Sequence, residues 1–384
     1  MQLLDFQPTQ SLNSSSNPVL ETLQDIASKV QLESNFCIRH PDYKPLELPP
    51  DVVARFQNLP LHLQIKYQSL QLRSFLYGIY YNGSLRKALV AEADSGELIP
   101  EQNLENNRFQ GVDLKFYEQL HNSNRGAGYF DPGWRVLRQE ADGTLAVIKD
   151  NLTLHIEREH QSAVVGDLVA IRLPRNRVQS GFYMAISNVS SHVSVRVACR
   201  DSDSAPLKEA RNTSNDPECV RIYFNLTPEG AIALMDAITT QLNDIAIPFH
   251  FKALYNPSDY DRFDSAVLYS DKQDYEAIRQ VLQGIYIKHQ SHFQPEVPLF
   301  TKFLAPGLAL AEEPDHKFAS KESFGTHRCQ LVANGLLTAR DNGDESVESR
   351  MTSILQNFSR LGIDVNHPYL NANSKDIYTT LELC

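Results

Sequence analysis

Between Cys219 and Lys288 the chain switches periodicity in an order that few folds can satisfy. Val220–Leu226 alternates apolar and polar residues as a strand does. Thr227-Pro228-Glu229 follows at once, with Thr suited to a helix N-cap and Pro to the first turn. Ala231, Leu234, Met235, Ile238, Leu242 and Ile245 then recur at helical spacing. A second strand is expected over Ile247–Tyr255 and a turn at Asn256-Pro257-Ser258. A third strand over Phe263–Ser270 precedes a helix carrying Ile278, Val281, Leu282 and Ile285. This β-α-β-β-α order predicts an α+β fold with helices on one side of a sheet.

The remaining chain divides around that unit. Residues 1–18, rich in Gln, Ser and Asn, are expected to be a flexible lead. Residues 19–125 are expected to be mainly helical. Leu20, Leu23, Ile26, Ala27 and Val30 share one face, and Leu63, Tyr67, Leu70, Ser74 and Tyr77 another; Leu85–Ala93 and Val112–Leu120 also have helical spacing. A Pro-rich passage runs from Pro41 to Pro50. Turn formers at 122–128 open an α+β core over 126–384, in which a mixed β-sheet packs against helices. Its first strands are expected at Leu145–Lys149, Leu152–Ile156, Asp167–Leu173, Phe182–Ser187 and Val193–Cys199, with a polar loop over Asp201–Pro217.

Composition removes several functions. Asp and Glu number 47 against 36 Lys and Arg, a net charge of −11. Nucleic acids and anionic membranes both reward a basic excess, so neither is expected as a partner. The five cysteines are scattered with no Cys-x-x-Cys, which argues against a zinc ribbon or redox dithiol. Met1–Pro18 has no secretory-signal pattern, and no run approaches the ~18 apolar residues of a membrane span. A cytoplasmic protein is expected. Phosphate-loop, His-Glu-x-x-His and Gly-x-Ser-x-Gly motifs are missing. His289 and His292 have helical spacing but no third ligand at a recognisable distance, so neither metal nor organic cofactor is expected.

Two local patterns suggest chemistry. Between Asp167 and Asp201 there are five arginines (172, 175, 177, 196 and 200) and no carboxylate, a net +5. Arginine forks suit phosphate; the same residues also fit a solvated face paired with acidic neighbours. Second, alternation puts Ile247, Phe249, Phe251 and Ala253 on one side of their strand and His250 and Lys252 on the other. Val220, Ile222, Phe224 and Leu226 likewise oppose Arg221, Tyr223 and Asn225. A helix crossing over both apolar faces would leave Arg221, Tyr223, Asn225, His250 and Lys252 together, with no carboxylate among them.

Clustered cations make a lysine less basic. Lys252 could then remove a Cα proton while a His250 imidazolium protonates a leaving oxygen, eliminating phosphate from phosphoserine or phosphothreonine. Arg221, Arg262, Lys302 and one or more of Arg172, Arg175 and Arg177 would hold the phosphate, with Tyr223 orienting phosphate or peptide. The other reading of His250 and Lys252 is the wet side of a half-buried strand. Arg262 and Asp264 flank Phe263 as a structural ion pair commonly does. Thr301, Lys302, His327 and Arg328 lie in turn-rich sequence, the last two after Gly325 at the start of a helical run.

The ordered blocks Gly128–Trp134, Pro174–Tyr183, Arg221–Gly230, Ile247–Lys252, Asp261–Asp264, Val267–Tyr269, Pro298–Pro314 and Ser323–Arg328 resemble the HopA-type effector family. The resemblance covers roughly residues 70–384. It implies two different things. Relatives in lanthipeptide and thioamide-peptide pathways look like phospholyases that act beside a kinase-like partner protein on a phosphorylated precursor peptide. They leave dehydroalanine or dehydrobutyrine. Effector members imply instead a non-enzymatic protein-binding module, and the Ser/Asn-rich lead is compatible with type III export.

Overall fold

A computed structural model describes residues 17–33, 36–90, 112–157, 163–179, 181–189, 218–319 and 322–382. The strand expected at 193–199, Arg196, Arg200, the loop at 201–217 and residues 1–16 of the lead lie outside the described residues.

Helix α1 (Pro18–Lys29) starts on Asn17, whose side chain accepts from the Val19 amide. Strands β1 (Gln31–Leu32), β2 (Ile38–His40) and β3 (Tyr43–Leu46) then form a small antiparallel sheet, so this third is not wholly helical. Helices α2 (Pro50–Gln57) and α3 (Leu61–Leu76) follow, and α3 runs into a π turn at Tyr77–Tyr81. Helix α4 (Arg86–Leu89) is one turn where a longer helix was expected, and α5 (Leu114–Ser123) closes this region. The side of α3 that packs is Gln68, Gln71, Leu72, Phe75 and Leu76, while Leu63 and Leu70 are exposed. This corrects the face expected from apolar spacing. Gln68 is accommodated inside because Arg340 donates to its Oε1 at 2.8 Å.

Strands β4 (Tyr129–Gln139), β5 (Leu145–Lys149), β6 (Leu152–Ile156) and β7 (Leu168–Leu173) form an antiparallel sheet in the order β6-β5-β4-β7. Trp134, Val136, Leu145, Val147 and Ile171 give it a small core of its own. The main sheet is built from β8 (Asn176–Gln179), β9 (Phe182–Ile186), β10 (Cys219–Phe224), β11 (His250–Leu254), β12 (Ala266–Asp271), β13 (Lys302–Ala305) and β14 (Leu308–Glu312). Its order is β13-β14-β10-β12-β11-β9-β8, with every neighbouring pair antiparallel. Strands β10 and β11 therefore run in the same direction with β12 between them. They are not neighbours.

Helix α6 (Pro228–Asp244) links β10 to β11, with Thr227 accepting from the Gly230 amide as its cap. Its buried Ala231, Leu234, Met235, Ile238 and Leu242 share the main core with Phe224 and Phe251, as do Ile278, Leu282 and Ile285 of α7 (Tyr275–His289). Helix α8 (Phe324–Asp341) and α9 (Val347–Arg360) complete the regular structure. Tyr223, from the opposite side of β10, meets Tyr81 of the π turn and Phe324 of α8 at ring distances of 6.4 and 6.5 Å. Helical elements thus lie on both faces of the sheet. The one-sided expectation holds only for α6 and α7. Among the described residues no helix is long and apolar enough to cross a membrane.

Gly325 lets α8 approach the π turn: a Cβ there would lie 2.3 Å from the Tyr81 ring. Gly325→Ala is expected to lower stability by about 1–3 kcal/mol through overpacking, measured by chemical denaturation.

Candidate active site

Residues paired across an antiparallel sheet point to the same side. One row of the register runs Arg221, Tyr269, His250, and the next runs Tyr223, Val267, Lys252, Met184, Arg177. Arg221, Tyr223, His250, Lys252 and Arg177 therefore share one face. The Lys252 ammonium lies 4.6 Å from the centre of the Phe182 ring and 5.3 Å from that of Tyr269. The Arg221 guanidinium lies 5.1 Å from the same Tyr269 ring, which so joins both cations through cation–π contact. Arg221 is 4% exposed and Lys252 8% exposed. This corrects the reading of His250 and Lys252 as the wet side of a half-buried strand: the whole of β10 and β11 is buried.

The fold also brings in the carboxylates that this face was expected to lack. Arg221 Nε donates to Glu313, just beyond β14, and Lys317 binds the other oxygen of the same carboxylate. Burial opposes the Arg221 charge, but Glu313 outweighs it and holds the guanidinium well above its ordinary pKa. Burial likewise pushes Glu313 up, and Arg221 with Lys317 brings it below the usual carboxylate range. Arg262 makes a double contact with Asp264, Nε to Oδ1 at 2.5 Å and Nη2 to Oδ2 at 2.9 Å. Asp264 also accepts from Tyr77 Oη at 3.3 Å and Asn82 Nδ2 at 3.2 Å. Four donors occupy this carboxylate, so Arg262 joins the π-turn region to the sheet.

His250 is only 7% exposed, and burial together with the Arg177 charge pushes its imidazole down to about 3. It is neutral at pH 7, where an imidazolium was expected. The Tyr223 hydroxyl, buried and two residues from Arg221 on β10, is pushed up to about 12 by burial against the opposing pull of Arg221.

Three of the expected phosphate ligands lie elsewhere. Lys302 shares a register row with Leu310 and Ile222, which places it on the opposite face, and its ammonium meets Asp376 at 2.5 Å. Arg172 belongs to the four-stranded sheet, donates to the Ala127 carbonyl and edges a cleft of about 220 Å³ lined by Leu145, Ile156, Val169 and Ile171. Arg175 donates to the His121 and Asn124 carbonyls at the end of α5. A run of like charges along the chain is thus split between two sheets and a helix terminus.

Tyr269, Glu313 and Lys317 were missed from sequence. The one available signal was Glu312-Glu313 closing the apolar run Leu308–Ala311. His327 and Arg328 do sit in the first turn of α8, which Ser323 caps, but Arg328 is fully buried. It donates to the Pro368 and Leu370 carbonyls at 2.8 and 3.1 Å and to His327 Nδ1 at 2.7 Å. Burial brings Arg328 down to about 10; burial and the Arg328 charge bring His327 to about 3. Among the described residues no group of three or more His, Cys, Asp or Glu could hold a metal ion.

Residues 173–370, just over half of the chain, match the HopA1 effector protein family. The chain belongs to that family. The segment that shows this HopA1 membership begins at the end of β7 and holds Arg177, Arg221, His250, Lys252, Arg262 and Glu313. Two solved structures are similar over most of their length. The effector protein from Pseudomonas syringae pv. tomato strain DC3000 is 16% identical, with 80% of this chain and 97% of that one covered and a TM-score of 0.37. The effector protein from Pseudomonas syringae pv. syringae strain 61 is 17% identical, with 81% and 98% covered and a TM-score of 0.36. No curated protein matches the chain.

Two of the buried histidines, His250 and His327, give a pH prediction. Both fall from an ordinary value of 6.5 to about 3, so between those limits the unfolded chain binds more protons than the folded one. Their contribution to stability is intact above pH 6.5 and is lost as pH falls toward 3. The melting temperature should drop across that window, and His250→Gln should flatten part of the slope.

Proposed function

We propose that this protein is a phospholyase that eliminates phosphate from phosphoserine or phosphothreonine in a peptide. The observation that carries this reading is the position of Lys252 and Arg221 on one sheet face, each about 5 Å from the ring of Tyr269. Lys252 first gives up its ammonium proton to solvent, and the free amine then takes the Cα proton. The released electron pair forms the Cα–Cβ double bond, the Cβ–O bond breaks, and phosphate leaves with its electrons. Arg221 offsets the phosphate charge and Tyr223, on the same strand, orients it; Arg177, four strands from Arg221 across the sheet, acts on His250 instead. His250 is neutral within this interior at pH 7, but a phosphate dianion placed against it favours the imidazolium. The acid that protonates the bridging oxygen then forms only with substrate present. Because Lys252 and Arg221 are buried, the cover over this face has to move before a peptide can enter.

The substrate in this reading is a precursor peptide phosphorylated by a separate kinase-like protein, and the products are dehydroalanine and dehydrobutyrine. A second reading, a non-enzymatic protein-binding module, draws on Arg221 and Arg262 each being already paired with an interior carboxylate. Incubation with a phosphopeptide, followed by mass spectrometry, separates the two. The lyase releases phosphoric acid from the peptide, whereas the binding module returns it intact. Lys252→Ala should slow elimination by about 10²–10⁴-fold, the usual contribution of a general base. Undiminished elimination in that variant would remove Lys252 as the base.

A further inference from the structure

Two carboxylates meet guanidinium groups in this interior, and they are held differently. Asp264 grips Arg262 through two hydrogen bonds and accepts two more from Tyr77 and Asn82, so it has no freedom to leave. Glu313 touches Arg221 through Nε alone. Among the described residues, neither Nη nitrogen of Arg221 is hydrogen-bonded to an acceptor, although the side chain is almost wholly buried. A guanidinium whose outer fork is unused can receive a second anion.

Glu313 also has somewhere to go. Its other oxygen already lies on Lys317, four residues along, whose side chain is 21% exposed and less enclosed than Arg221. His327 feels the charges of Arg328, Lys317 and Glu313, so this second seat borders the start of α8. Carboxylate and phosphate oxygens satisfy a guanidinium with the same planar geometry.

We infer that Glu313 is a displaceable stand-in for the substrate's phosphate: it neutralises Arg221 until a phosphomonoester dianion arrives and then passes wholly to Lys317. This rests on the lyase reading of the same face. Glu313 is then a positioning residue that sets how strongly a phosphate must compete to enter. A neutral or singly charged side chain, such as unmodified serine or a peptide carboxylate, displaces it less well, which favours the doubly charged phosphoryl group.

The test is calorimetric titration of the full chain with inorganic phosphate at pH 7, with folding of each variant checked by its thermal melt. Glu313→Gln should bind phosphate about tenfold tighter, because one charge-assisted competitor is gone. Lys317→Gln should bind it about tenfold more weakly, because Glu313 loses its second seat and stays on Arg221. In the elimination assay the KM for a phosphopeptide should move in the same two directions. A folded Glu313→Gln protein with unchanged phosphate affinity overturns the proposal, as does the absence of phosphate binding in both the native chain and this variant. If Glu313→Gln does not fold, the partly exposed Lys317→Gln variant decides alone, and an unchanged affinity there is equally fatal. The two readings fail separately. Elimination with insensitive phosphate affinity removes only the stand-in, whereas shifted affinity without elimination removes only the lyase.

Discussion

Positive charge enclosed between a sheet and a layer of helices has to be met by negative charge, by carbonyl oxygen or by aromatic rings, because leaving it unmet costs about 3–5 kcal/mol. Each solution occurs in this interior. Arg262 has Asp264, Arg221 has Glu313, and Arg328 has the Pro368 and Leu370 carbonyls. Lys252 lies against Phe182 and Tyr269. The Asp264 network reaches furthest, since Tyr77 and Asn82 donate to it and the Phe263 amide donates back to the Asn82 carbonyl at 2.9 Å. Through it the π-turn region is fixed over the face that carries Arg221 and Lys252.

That arrangement relates the segment with HopA1 similarity to what surrounds it. Strands β8 to β14 and the helices between them supply the cationic face, and the family match spans them. The four-stranded sheet precedes the match except for the end of β7, and the π turn with Tyr77 and Tyr81, followed by Asn82, comes earlier still. The candidate chemistry therefore resides in the matched part, while part of its cover comes from outside it. Substitutions in the cover are expected to act on access and stability before they act on chemistry.

Much of the local structure was legible. Thr227-Pro228 marked the start of α6, and the alternation of Arg221, Tyr223, His250 and Lys252 placed these four on one face, as the register confirms. Other features left a weaker trace. Strand β4, whose register shifts between Asp131 and Trp134, and the β13–β14 hairpin around Pro306-Gly307 were not among the expected strands. In α3 the apolar stripe through Leu63 and Leu70 pointed outward, because Arg340 made it possible to bury Gln68 instead.

By itself the sequence determined the periodicities, and with them which side chains stand on the same side of a given strand. This follows from backbone geometry alone, which repeats every two or 3.6 residues whatever lies nearby. Only the tertiary structure decided the partners. Glu313 lies 92 residues from Arg221 in the chain, and Tyr77 lies 187 from Asp264. Contacts between such distant residues have no period to betray them. The same folding step removed Lys302, Arg172 and Arg175 from the candidate site and left His250 neutral, because burial and counter-charge are properties of an assembled interior.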